Sequence, residues 1–133
     1  MLEDREWYGA EPASEEAIAA LQEIAPARLP DGYLHLLAFS NGGEGPLPVQ
    51  PLWLVLYPAE EVKKIARDGS FATYFPGLFV IGGNGGGEAI ALDLRSQEPW
   101  PLVAFDTTNN NQAESVLPIA SSFDEALGLI GRA

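Results

Sequence analysis

Between Ile81 and Glu88 the chain reads Gly82-Gly83-Asn84-Gly85-Gly86-Gly87, a glycine cluster of the kind that can wrap a phosphate. A phosphate loop needs the spacing Gly-x-x-x-x-Gly-Lys-Ser/Thr and a helix behind it, so that backbone N–H groups and an ammonium meet the anion. Here Glu88 follows, and the residues behind it alternate Glu88, Ile90, Leu92, Leu94 with Ala89, Ala91, Asp93, Arg95, which is strand spacing. A carboxylate at that place repels phosphate, and no basic residue comes before Arg95. A dinucleotide fingerprint fails as well, because the spacing is wrong and no helix follows. The glycines therefore predict a hairpin turn or bulge, where the backbone takes positive φ or approaches another strand closely.

Carboxylates are the next candidates. Glu88 and Asp93 are an odd number of residues apart, so on a regular strand they face opposite sides and form no simple acid/base pair. Asp106 closes a neighbouring apolar run and can approach either one. A metal site or a glycosidase site needs such groups to converge. The bland alternative is that they bond to backbone N–H groups at strand ends and turns. Asp106-Thr-Thr-Asn-Asn-Asn111 resembles a calcium loop in composition only, since Asn111 stands where an EF-hand needs glycine. His35 is the single histidine, set between leucines, with no cysteine nucleophile and no Gly-x-Ser-x-Gly elbow to serve. Trp53, Trp100, Tyr57 and Phe79 read as core or partner-facing aromatics.

The elements that must position these groups are legible in outline. Ser14 caps a first helix with Glu15 and Glu16 in its first turn and an apolar stripe of Ala17, Ile18, Leu21, Ile24 and Ala25, ended by Pro26. Asp31 opens a second helix, apolar on both sides, which Asn41-Gly42-Gly43 stops. A proline-rich loop over 44–51 leads to a strand, Leu52 to Tyr57, and Pro58 begins a third helix that Gly69 ends. Phe71, Tyr74 and Phe75 make an aromatic loop. The hairpin follows, then strands at Leu102 to Phe105 and Val116 to Ile119, and a last helix capped by Ser121 or Ser122. Strands joined by short turns predict an α+β fold: a mostly antiparallel sheet of about four to five strands with helices on one face. Trp7 and Tyr8 lie in an opening segment expected to be laid across the body.

At 133 residues, the chain is expected to form one domain spanning 1–133. The opening is acidic with no apolar stretch behind it, and no run approaches the ~20 residues that cross a bilayer. A cytoplasmic location is expected. The net charge of −12 spreads repulsion for DNA, RNA and anionic lipid over the surface and attracts basic partners. Acidity of this size also serves plain solubility.

Several segments taken together resemble one known family. Ser14-Glu-Glu-Ala-Ile-Ala-Ala-Leu21 and Leu29-Pro-Asp-Gly-Tyr-Leu-His-Leu-Leu-Ala-Phe-Ser-Asn-Gly-Gly43 are similar to the opening helices of SUKH-superfamily domains. Pro76 to Gly82 with Gly85 to Asp93 resembles the family's central hairpin, and Ile119 to Leu127 its closing helix. Members include the yeast Smi–Knr cell-wall regulators and bacterial toxin-immunity proteins. The proline-rich stretch 44–51 departs from the pattern.

The resemblance implies a non-catalytic α+β module that binds protein partners, without cofactor, metal or fixed catalytic residues. For an acidic member it implies an immunity-type protein that neutralises a basic, nuclease-like toxin. The candidate partner-binding residues are Asn41, Gly42, Gly43, Glu44, Trp53, Asn84, Gly85, Gly86, Glu88, Asp93 and Asp106. Two alternatives stay open: a scaffold in a larger assembly, and a metal-assisted hydrolase using Glu88, Asp93 and Asp106.

Overall fold

A computed structural model describes residues 1–109 and 115–133. Seven strands make one sheet in chain order: β1 (Tyr8–Gly9), β2 (Gly43–Pro46), β3 (Trp53–Leu56), β4 (Leu78–Gly83), β5 (Glu88–Asp93), β6 (Leu102–Asp106) and β7 (Val116–Ala120). Every adjacent pair is antiparallel. Five helices are described: α1 (Glu15–Ile24), α2 (Asp31–Phe39), α3 (Ala59–Asp68), α4 (Ser70–Tyr74) and α5 (Phe123–Leu127). The α+β class holds, but the sheet has seven strands instead of four to five. The two extra strands are β1 and β2. Gly43-Glu-Gly-Pro46 contains no strand-favouring residue; it is a strand because Trp53–Leu56 offers it a full ladder, Gly43 opposite Leu56 through Pro46 opposite Trp53. The turn expected over 106–112 lies partly outside the described residues.

Both faces of the central strands are buried, which is why they read as nearly continuous apolar runs. Phe79, Ile81, Ile90, Leu92, Leu102 and Ala104 face the main core with Leu21, Tyr33, Leu36 and Phe123 from the helices. Leu78, Val80, Ala89, Ala91, Val103 and Phe105 face the other way, under Phe75 and Phe71. The aromatic loop is thus a short helix, α4, and its rings lie against Phe105 at 6.1 and 4.5 Å between centroids. Each buried Leu or Phe here contributes about 1.5–3 kcal/mol of transfer free energy.

The local signals act as the residue types demand. The Ser14 hydroxyl accepts from the Ala17 N–H at 3.1 Å and caps α1. Ser122 caps α5 through the Glu125 N–H, while Ser121 bonds back to the Glu125 carboxylate. Gly69 ends α3 in the left-handed region at φ 79°. Asp31 is the first residue of α2 instead of its cap; Pro30 takes the cap position, and Asp31 pairs with Arg28. A bulge between Val80 and Gly82 shifts the β4–β5 register. A Cβ at Gly82 would stand 2.2 Å from the Val55 carbonyl oxygen, so only glycine lets β3 and β4 meet there.

The N-terminal segment is tied to the C-terminal one. The Glu6 N–H donates to the Gly131 carbonyl at 3.0 Å, and the Gly131 N–H donates to Pro46 of β2 at 2.8 Å. The Arg5 guanidinium reaches the Leu127 carbonyl and, at 3.1 Å, that of Ile130, satisfying the end of α5.

Candidate functional site

The candidate residues separate into those the fold uses and those it leaves outward. Glu88 and Asp106 are paired directly across β5 and β6. Asp93 pairs with Leu78 at the far end of the same hairpin, on the opposite face of the sheet, about 17 Å along the strand from Glu88 at ~3.4 Å per residue. The three carboxylates do not converge, as the odd spacing predicts. Each has its own local work. The Arg95 guanidinium donates to Asp93 at 2.8 and 2.9 Å and holds this carboxyl below its ordinary range against the opposing effect of burial. Asp106 accepts from the Thr108 N–H and hydroxyl at 2.8 and 2.7 Å, and these bonds lower its pKa.

The glycine cluster is the turn of the β4–β5 hairpin. Asn84 organises it: its Oδ1 accepts from the N–H groups of Gly86 and Glu88, and its Nδ2 donates to Glu88 Oε1 at 3.1 Å. Thr107 closes the turn against β6 by donating twice to the Gly87 carbonyl. Gly85 and Gly86 stay exposed at its tip.

Asn41 is a structural joint. Its Oδ1 accepts from the Ala59 N–H at 2.8 Å, and its Nδ2 donates to Glu60 at 2.9 Å, so it caps α3 from a distance in sequence. Gly42 and Gly43 have φ of 95° and 124°, and Cβ atoms on them would stand 2.9 and 2.8 Å from the carbonyls of Leu56 and Tyr8. They let three backbones meet.

Glu44 and Trp53 remain outward, and the structure brings Tyr8 to them. Leu54 and Leu56 of β3 point into the main core, so Trp53 and Val55 occupy the opposite face. Tyr8 lies opposite Glu44, which lies opposite Val55. The Tyr8 and Trp53 rings lean over β2 and stack, 6.5 Å apart at 24°. The Trp53 indole N–H donates to Glu44 Oε1 at 3.0 Å, and the Tyr8 hydroxyl donates to Glu6 Oε2 at 3.1 Å. That acceptor pushes the phenol pKa up. Tyr8 is 59% exposed and Leu52, next to Trp53, is 53% exposed. Among the described residues Leu52 is also the non-glycine residue with positive φ, 72°, a strained backbone where the loop between β2 and β3 closes, its carbonyl accepting from the Leu47 N–H at 2.9 Å. Among the described residues neither Glu6 nor Glu44 takes part in a salt bridge.

Sequence reasoning named Glu44 and Trp53 but missed Tyr8, Glu6 and Leu52. The signal available was Trp7-Tyr8 in a charged segment, aromatics that must lie against something.

Two half-open grooves of about 250 Å³ lie elsewhere. One runs beside β4, lined by Ile24, Ile65, Phe71, Leu78 and Leu94. The other lies where α2 and α5 begin, with Arg28, Asp31, Trp100 and Asp124. Among the described residues no three His, Asp or Glu side chains are grouped to share a cation, and no helix is long and apolar enough to cross a membrane. The family described as SMI1 / KNR4 family (SUKH-1) matches the chain over residues 12–128. No curated protein matches it.

Proposed function

Since the chain belongs to the SMI1 / KNR4 family (SUKH-1), we propose that it is a non-catalytic, immunity-type module that binds and neutralises a basic, nuclease-like toxin in the cytoplasm. One observation carries this reading: the corner where Tyr8, Leu52 and Trp53 stand outward beside the carboxylates of Glu6 and Glu44, on a chain of net charge −12. An exposed aromatic such as Tyr8, with half-buried Trp53 beside it, is what protein interfaces bury at their centres, and uncompensated carboxylates steer a basic partner toward it. The hydrolase alternative loses its geometry, because Asp93 is on the other face from Glu88 and Asp106. The turn residues Asn84, Gly85 and Gly86, next to Val55, would form the rim of the contact, with Asn41, Gly42 and Gly43 supporting it from beneath, while Glu88 is on the face of Ile90 and Leu92 and is left out of it.

The test is capture by the purified protein of the product of the adjacent gene, followed by calorimetry at low and high salt. A basic nuclease domain whose binding weakens as salt rises, and whose activity falls on binding, supports the reading. A partner that is neither basic nor toxic, bound with no salt dependence, places the protein among scaffolds and overturns it.

A further inference from the structure

Resting on the reading of a basic protein partner, we propose that the Tyr8–Trp53–Glu44 corner is an arginine receptor. It takes a guanidinium side chain of the partner flat against an aromatic ring, with the N–H fork directed to Glu44.

Four observations carry this. The rings stand 6.5 Å apart at 24°, and Tyr8 is 59% exposed with Trp53 half-buried beside it, so an aromatic π-surface that attracts a cation borders solvent here. Glu44 uses Oε1 for the Trp53 indole N–H and Glu6 uses Oε2 for the Tyr8 hydroxyl, so each carboxylate is anchored beside a ring by one oxygen and keeps the other for a ligand. Among the described residues no basic side chain forms a salt bridge with them: Arg5, the nearest in sequence to Glu6, points its guanidinium at the carbonyls of Leu127 and Ile130. Finally, the pieces are rigid. Glu44 and Trp53 are on paired strands, and β1 is fixed to β2 by register and to Ser40 by the Ala10 N–H at 2.9 Å.

Guanidinium fits better than ammonium. It is planar, stacks on aromatic rings, is weakly hydrated and offers paired donors that match a carboxylate, whereas lysine is a strongly hydrated point charge. Glu6, at the outer end of the Tyr8 ring, adds a second negative charge for a neighbouring basic group. Tyr8 and Glu6 precede the family-matched span, which begins at residue 12. Half of the receptor thus comes from residues before the matched span, where the exposed side chains of Glu6 and Tyr8 can vary while Leu2 and Trp7 keep their places in and against the core.

The probe is a hexaarginine peptide titrated into the isotopically labelled full chain at moderate salt, against hexalysine. The Trp53 indole resonance is identified by its loss in Trp53→Phe. Hexaarginine should shift the Trp53 and Tyr8 resonances saturably and leave that of buried Trp100 in place, with hexalysine about three- to ten-fold weaker. Tyr8→Ala and Glu44→Gln should each weaken hexaarginine binding about three- to ten-fold with the unfolding midpoint retained, while Glu23→Gln, exposed on α1, should not. Equal affinity for the two peptides, or equal loss on Glu23→Gln, overturns the receptor.

The two readings fail separately. A natural basic partner that binds wild type, Tyr8→Ala and Glu44→Gln equally well removes the arginine receptor and leaves the immunity-type role standing. Saturable hexaarginine binding at the corner, with no basic protein captured from cells, supports the receptor and removes that role.

Discussion

Replacing Asn41 by alanine removes two hydrogen bonds at one joint. The Ala59 N–H at the start of α3 loses its acceptor at 2.8 Å, and Glu60 loses the amide donor at 2.9 Å. Loss of a cap acceptor costs about 0.5–2 kcal/mol, typically ~1. The bond to exposed Glu60 adds a few tenths at most, since solvent screens it. The sum is about 1–2 kcal/mol. With an unfolding entropy of ~2.1 cal/mol/K per residue, a chain of 133 residues loses about 3.5 °C per kcal/mol, so the midpoint should fall by about 4–7 °C. Differential scanning calorimetry reads this directly. Asn41→Asp keeps the acceptor for Ala59 but sets a carboxylate against Glu60, so it should recover about half of the loss at pH 7 and more as the pH is lowered through the carboxylate range. Affinity for a protein partner should stay within about two-fold in both variants, since the side chain faces into the joint. An Asn41→Ala protein with unchanged midpoint and weakened partner binding would refute the assignment of this residue to the fold.

Four further substitutions have outcomes set by the same geometry. Asp93→Asn should destabilise by about 1–2 kcal/mol at neutral pH, held to the low end because the Arg95 side chain is 38% exposed. Because the folded Asp93 pKa is depressed, its contribution is fully present above the unfolded value near 4 and is lost as pH falls through the folded one, so wild type and variant should converge in acid unfolding curves once the pH lies below that depressed value. The Tyr33 hydroxyl is fully buried and meets no hydrogen-bond partner among the described residues, and burial drives its pKa far upward. Tyr33→Phe should therefore raise stability by about 1 kcal/mol in chemical denaturation, and spectrophotometric titration should find this tyrosine protonated until the protein unfolds. Gly82→Ala should cost about 3 kcal/mol, because its methyl group meets the Val55 carbonyl. Gly87→Ala, with nothing within 4 Å of the new Cβ, should change the midpoint by less than about 2 °C.

Much of the frame was written in local residue choices. Ser14, Gly69 and Ser122 announce helix ends by chemistry that needs no knowledge of the fold, and all three act there. The spacing of Glu88 and Asp93 alone separates them onto two faces, which the register confirms. What could not be read were features made by distant partners. Gly43-Glu-Gly-Pro46 is a strand because Trp53–Leu56 pairs with it, and β1 exists because β2 offers an edge. Asn41 reads as a helix stop, yet its side chain begins the next helix 18 residues on. The outward corner was half visible for the same reason. Trp53 and Glu44 are near neighbours in the chain, but the Tyr8 ring is brought to them only by assembly of the sheet.

The knot of bonds that Arg5, Glu6 and Gly131 make with Ile130 and Pro46 has a consequence for how a growing polypeptide completes the edge of its sheet. During synthesis residues 5 and 6 are made well before residues 127–131 and cannot close on them until these have left the ribosome. The pairing of Tyr8 with β2 can form as soon as β2 is made, but the bonds of residues 5 and 6 wait for residues 127–131, so a nascent chain halted before residue 127 would hold its central hairpins with the outer end of β1 still loose.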